Sequence, residues 1–305
     1  VTTFRMRARG PFSLRSAARF VEGFSAGQGG GDEARLDLAF PAEHGWTPVG
    51  VRVTEDGAGL LADVVANPGA VPLEAIRAQV ERILSLDVDG AGFVAVGERD
   101  PVIADLRARY PGLRPVQFHS PYEAAVWTII GQRIRRTQAA AIRTRLATRL
   151  GEPIDFGDAQ LPAFPAPDRL AGLREFPGLT GRKIEQLQAL GRAADDGQLD
   201  AAPLRAVPPE EALTRLQTLP GIGPFSAELI LLRGAGDPDA FPRNEKRLHR
   251  AMAVRYDLGD DPDLAQLEAV AERWRPCRTW VALLLRAWLA DEVAAGRLAD
   301  VRFSR

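Results

Sequence analysis

The sequence has a single cysteine, Cys277, and only three histidines, His44, His119 and His249, set far apart. One thiol cannot close a disulfide framework, an iron–sulfur cluster or a cysteine zinc site within the chain. Three scattered imidazoles leave little material for a histidine zinc site. No apolar run approaches the ~20 residues needed to cross a bilayer, and no secretory signal pattern opens the chain. These absences predict an intracellular protein with no membrane partner. Charge of one sign is also lacking: 39 basic and 40 acidic residues leave a net charge of −1. The chain is therefore no polycation that coats nucleic acid, although a local basic face is enough to bind DNA. What is present is an ordinary globular composition, 46% hydrophobic and 26% charged over 305 residues. That length suits roughly two or three domains.

Periodicity divides the chain near residue 100. Alternating apolar residues predict strands over Thr2–Ala8, Leu36–Phe40, Val49–Val53 and Leu60–Ala66. Ser13–Phe24 reads as a helix, Gly27–Gly31 as a flexible break, and Pro72 opens an amphipathic helix carrying Leu73, Ile76, Val80 and Ile83. Residues 1–100 are thus expected to form a small α+β domain. Residues 101–305 read as almost continuously helical. Ser120-Pro121-Tyr122-Glu123 is a helix start in which serine caps, proline takes the first turn and glutamate closes a capping box. Two helices follow, breaking near Gly131–Thr137. A faint internal repeat sets Phe176-Pro177-Gly178-Leu179-Thr180-Gly181 beside Leu219-Pro220-Gly221-Ile222-Gly223-Pro224.

Four features carry chemistry. Gly221 and Gly223 permit a tight turn and close backbone approach, and Pro224 suits the first turn of the next helix. The helix N-terminus so exposed is an anion site that would hold a phosphate without reading sequence; a plain helical turn is the bland alternative. Ala124–Gly151 contains no Asp or Glu but six arginines, Arg133, Arg135, Arg136, Arg143, Arg145 and Arg149. Such a stretch suggests a phosphate-facing surface, unless acidic partners from elsewhere cover it. Asp237–Glu245 places Asp237, Asp239 and Glu245 beyond the hairpin. A carboxylate there would stabilise an oxocarbenium-like sugar as an N-glycosidic bond breaks; a loop of solvated acids is the bland alternative. Finally, Trp127, Phe225, Trp274, Trp280 and Trp288 are aromatics of the helical part, one or two of which are expected to line a base pocket.

Together these residues resemble the helix-hairpin-helix DNA glycosylases, most closely the 3-methyladenine DNA glycosylase II branch. The motifs that carry the resemblance are Tyr110-Pro111-Gly112-Leu113-Arg114, Ile129-Ile130-Gly131-Gln132, Gly181-Arg182-Lys183, the hairpin itself, Leu232-Arg233-Gly234, Asp239-Ala240-Phe241 and Trp274-Arg275-Pro276. The resemblance implies a TBP-like α+β N-terminal domain and a two-lobed helical domain with the active-site cleft between the lobes. It implies a monomer that acts in the cytoplasm, with the nucleoid, on duplex DNA carrying a damaged or abasic site. The damaged base, alkylated by the branch's habit, would be flipped out and its glycosidic bond hydrolysed. Gly221, Gly223, Ser226, Gln132, Arg135 and Arg136 would contact DNA, and Arg133 would fill the gap left by the flipped base. The pocket would be built from Phe225, Leu229, Trp127, Trp280, Trp288 and Arg286. No cofactor is implied beyond a sodium or potassium ion on the main-chain carbonyls of Gln217, Leu219 and Ile222.

Glu245, Arg133 at the wedge position and Arg286 depart from the branch's pattern, and Phe225 from that of its strand-cleaving relatives. Those relatives carry a Schiff-base lysine where Phe225 stands, which implies a monofunctional enzyme without lyase activity. Were the upstream echo the working hairpin, Lys183, with Asp195 and Asp196 beyond it, would make the enzyme bifunctional. Its catalytic aspartate falls on Glu245, preceded by Asn244. The longer carboxylate leaves three readings: an active glycosylase, one of narrowed substrate range, or a catalytically weakened lesion-binding protein. A pocket aromatic falls on Arg286, which would disfavour cationic alkylated bases.

Overall fold

The computed structural model describes residues 2–21, 34–43, 45–57 and 59–299. Gly27–Gly31 and His44 lie outside these. The N-terminal part is a four-stranded antiparallel sheet of β1 (Thr2–Met6), β2 (Arg35–Pro41), β3 (Pro48–Glu55) and β4 (Leu60–Ala66) in the order β1-β4-β3-β2. Helices α1 (Leu14–Val21) and α2 (Leu73–Ile83) complete it. Its alternating residues do what their period demands: Phe4, Met6, Leu36, Leu38, Val51, Val53, Ala62 and Val64 point into one core with Ile76, Val80 and Ile83 of α2.

The rest is mainly helical: α3 (Ala91–Arg99), α4 (Pro101–Arg109), α5 (Pro121–Gly131) and α6 (Arg136–Leu150). A short antiparallel hairpin, β5 (Pro153–Asp155) and β6 (Gln160–Pro162), interrupts the helices. Then come α7 (Pro167–Ala171), α8 (Gly181–Asp195), α9 (Ala201–Arg205), α10 (Pro209–Leu216) and α11 (Pro224–Leu229). A π-helical segment, Ile230–Ala235, runs on from α11. The last described elements are α12 (Lys246–Tyr256), α13 (Leu264–Ala271), a 3-10 turn at Glu272–Trp274 and α14 (Arg278–Ala294). Two apolar cores support this part. One joins α5, α6, α8 and α11; the other joins α12–α14 with Phe93 and Val96 of α3 and Ile103 and Leu106 of α4.

Two local expectations are corrected. The hairpin β5–β6 breaks the helical reading, because three-residue strands offer no period to detect. It lies on the sheet through Arg52, which bonds Asp37, Asp158 and the Phe156 carbonyl. At the start of α5, Ser120 Oγ accepts from Glu123 N–H at 3.1 Å, but Glu123 does not close the box. Its buried carboxylate turns inward to Arg143 and His119. Burial opposes ionisation of Glu123, yet Arg143 and His119 outweigh it and hold the carboxyl below its usual range. Among the described residues, no helix is long and apolar enough to cross a membrane.

Candidate active site

The turn between α10 and α11 is tight. Ile222 N–H donates to Leu219 C=O at 3.1 Å, and Ala227 N–H to Gly223 C=O at 2.9 Å. Gly221 has φ +85°, and a Cβ there would sit 2.4 Å from Gln186 Nε2 and 2.8 Å from Ile129 Cδ1. Glycine is required both for the backbone conformation and for the approach to α8 and α5. The upstream echo repeats this geometry: Leu179 N–H donates to Phe176 C=O at 3.0 Å, Gly178 has φ +92°, and Thr180 caps α8. The faint sequence repeat is therefore a repeated turn-to-helix unit.

The corner between α5 and α6 lies against both turns. Gln132 Nε2 donates to Gly221 C=O at 2.9 Å. Lys183 Nζ donates to Ile130 C=O at 2.7 Å and to Gln132 C=O at 2.8 Å. Burial lowers the Lys183 pKa, which alone would suit a nucleophilic amine. Its bonds instead tie it to the last carbonyls of α5, and it is not part of the cavity wall described below. Arg133, next to Gln132, is exposed with φ +58°, a conformation a non-glycine residue adopts at a cost.

Beside the hairpin helix opens a small, half-open cavity. Phe225, Leu229, Leu232, Pro242, Ala282 and Leu283 give it apolar walls. Phe225 is 47% exposed, the expected posture for a ring at a mouth. Glu245, Glu228, Arg233, Arg286 and Thr279 supply the polar groups. Glu245 is buried and caps α12, accepting from Arg247 N–H at 3.1 Å. Its other oxygen meets Arg286 Nη1 at 3.1 Å. Burial pulls the Arg286 pKa down, against the support of Glu245 and with the repulsion of Arg247. Burial, then Arg286 and Arg247, likewise lower Arg136. Burial, then Arg286 and Arg136, push Arg233 down to about 9. Arg286 of α14 is thus paired with the carboxylate and lies within electrostatic reach of Arg136, Arg233 and Arg247.

Of the expected site residues, Phe225, Leu229, Glu245 and Arg286 come together in this cavity. Trp127, Trp280 and Trp288 do not. Trp280 is 1% exposed and packs between Phe93 and the Arg114 guanidinium. Trp288 is buried in the same core with Arg255 over its ring, and Trp127 packs on the core around α5. Their size made core positions the better use of their apolar area. The acid-free stretch also divides. Arg143 is buried on Glu123, and Arg145 and Arg149 lie against Pro177 and Phe176. Arg133, Arg135 and Arg136 are exposed at the corner, Arg136 within electrostatic reach of Arg286 and Arg247. Asp237 folds its own turn by accepting from Asp239 and Ala240 N–H, and Asp239 pairs with Arg275 and Arg278. Sequence reasoning missed Glu228, Arg233 and Arg247. Glu228 had a signal: it is the one charge in the apolar run Ala227–Leu232. Among the described residues, no group of three or more His, Cys, Asp or Glu is placed to hold a metal.

No family model matches the sequence. A probable bifunctional transcriptional activator/DNA repair enzyme AlkA of Mycobacterium tuberculosis is 32% identical over 208 residues, 67% of this chain. DNA-3-methyladenine glycosylase 2 of Escherichia coli is 32% identical over 194 residues, 61% of this chain. The chain matches about 40% of the length of the first relative and 65% of the second. Its architecture is similar to that of the 3-methyladenine DNA-glycosylase from Archaeoglobus fulgidus, with a TM-score of 0.77 at 20% identity, over 94% of this chain and 98% of that one. The hairpin, the architecture and these relatives agree: the chain is similar in sequence to 3-methyladenine DNA glycosylases and shares the fold of one.

Proposed function

We propose that the protein is a monofunctional DNA glycosylase that flips a damaged base from duplex DNA and hydrolyses its N-glycosidic bond. The observation that carries this reading is the Glu245 carboxylate, fixed in the wall of an apolar cavity directly beside the hairpin helix. The N-terminal sheet unit takes the place of the TBP-like domain, and residues 101–305 form the two-lobed catalytic part of a monomer. The hairpin backbone at Gly221 and Gly223, with Ser226, Gln132, Arg135 and Arg136, grips the strand through phosphates. Arg133 enters the stack where the base leaves. The extruded base lies against Phe225 and Leu229. Glu245 stabilises the positive charge that develops on the sugar and orients the attacking water. Phe225 at the lysine position offers no amine, and Lys183 is committed to carbonyls, so the strand stays whole.

Gln217, Leu219 and Ile222 suit a monovalent ion: the turn offers neutral main-chain oxygens, and the Leu219 carbonyl spends one lone pair on Ile222. An ion bound there would supply positive charge to a DNA phosphate. One observation favours a second reading. Arg286 neutralises Glu245, as a lesion-binding protein without chemistry would tolerate. Incubation with dimethyl-sulfate-treated duplex DNA and, in parallel, with duplex carrying the neutral base hypoxanthine separates the two. The glycosylase reading expects free base in the supernatant; no base release, with tight binding to abasic-site duplex, gives the binding protein instead.

A further inference from the structure

Glu228 is a buried carboxylate, 6% exposed, on the hairpin helix. It faces the loop that delivers Glu245. Its Oε1 accepts from Arg243 N–H at 3.1 Å and from Asn244 Nδ2 at 2.7 Å. Its Oε2 accepts from Asn244 N–H at 3.0 Å. Both oxygens are therefore spent on the two residues that precede Glu245. The Arg243 guanidinium turns away, to Glu210 and Glu268. A desolvated carboxylate held by amide donors rather than a counter-ion is costly to keep. Burial indeed raises its pKa, against the hydrogen bonds from Asn244. An apolar side chain would suit this wall better if packing were its only task.

We propose that Glu228 is a positioning residue that locks the Arg243–Asn244 segment to the hairpin helix, so that Glu245 stands at a fixed place relative to the gripped strand. This rests on Glu245 being the catalytic carboxylate. The geometry supplies the reason. Residues 236–245 contain no helix or strand to fix their position. Glu245 caps the start of α12, which fixes its direction but not the distance of that helix start from α11. Glu228 supplies that distance, because its three acceptor bonds span from α11 to the residue adjoining Glu245. A carboxylate one methylene longer than aspartate needs its backbone set at its own standoff, and this clamp sets it.

The test is a double-mutant cycle in single-turnover base release, with Glu228→Gln, Glu228→Ala, Glu245→Gln and the Glu228→Ala/Glu245→Gln pair. Misplacing a catalytic group by an ångström costs about 100-fold in rate, so losses of that order are expected for both Glu228 variants. Affinity for a duplex with an abasic-site analogue should not change. In the Glu245→Gln background, Glu228→Ala should cost nothing more, because it acts through Glu245. Glu228→Gln preserves the side chain's size, and thermal melting of each variant reports whether it folds. Wild-type release by folded Glu228→Gln overturns the proposal. So does a Glu228→Ala loss of the same factor in both backgrounds, or one matched by lost affinity. If Glu245→Gln itself releases base at the wild-type rate, or the unaltered protein releases none, the underlying assignment of Glu245 fails and this inference with it.

Discussion

Glu245→Gln is expected to lower base release by about 1,000-fold, the cost of removing one preorganised electrostatic group from an enclosed site. The substitution keeps the length of the side chain and one oxygen. The cap on α12 is therefore retained, and the fold should melt close to the unaltered protein. What disappears is the negative charge facing the sugar. The ion pair with Arg286 disappears with it, leaving that guanidinium uncompensated among Arg136, Arg233 and Arg247. Affinity for a duplex with an abasic-site analogue should hold or rise, since the cleft becomes more positive. Single-turnover chromatography of released base, beside a binding isotherm, checks both halves. A rate unchanged by the substitution would remove Glu245 from the chemistry.

The second large effect concerns which base is accepted. Arg286 places a guanidinium in the wall of the cavity at 3.1 Å from Glu245. An alkylated purine such as 7-methylguanine enters as a cation, whereas hypoxanthine enters neutral. A like charge at contact distance costs about 1–4 kcal/mol at an effective dielectric of 20 to 80. Arg286→Leu should therefore shift release toward 7-methylguanine over hypoxanthine by about 5- to 900-fold. The ratio is the informative quantity. Any disturbance of Glu245 by the loss of its partner affects both substrates alike and cancels. Equal ratios in the two proteins would show that Arg286 does not filter charge.

Much of this arrangement is legible in the residues, for identifiable reasons. The strands declare themselves because Phe4 and Met6, or Val51 and Val53, alternate at period two, and the same atoms end in the core. The hairpin is legible because Gly221 occupies a backbone conformation that excludes other residues. Phe225, Leu229, Glu245 and Arg286 could be placed by position relative to motifs. The tryptophans could not, because an aromatic at helical spacing reads the same whether it faces a core or a pocket. Trp280 meets Phe93 of α3 edge-to-face, nearly two hundred residues away, and no local pattern announces that meeting. The acid-free run was deceptive for a related reason. Its arginines are judged by their partners, and Glu123, which claims Arg143, stands just outside the stretch. Glu228 was visible as a lone charge in an apolar helix, but its purpose depends on a loop fifteen residues on.

The central claim is hydrolysis of a base by a DNA-gripping enzyme that leaves the strand intact. One reaction tests it most directly: enzyme in excess over a duplex bearing a single damaged base, with borohydride present, read for free base, strand breaks and covalent protein–DNA adduct. The account predicts stoichiometric free base, a strand that breaks only on later alkali treatment, and no adduct. Borohydride-trapped protein, or nicked strand before alkali, would contradict it and point back to Lys183.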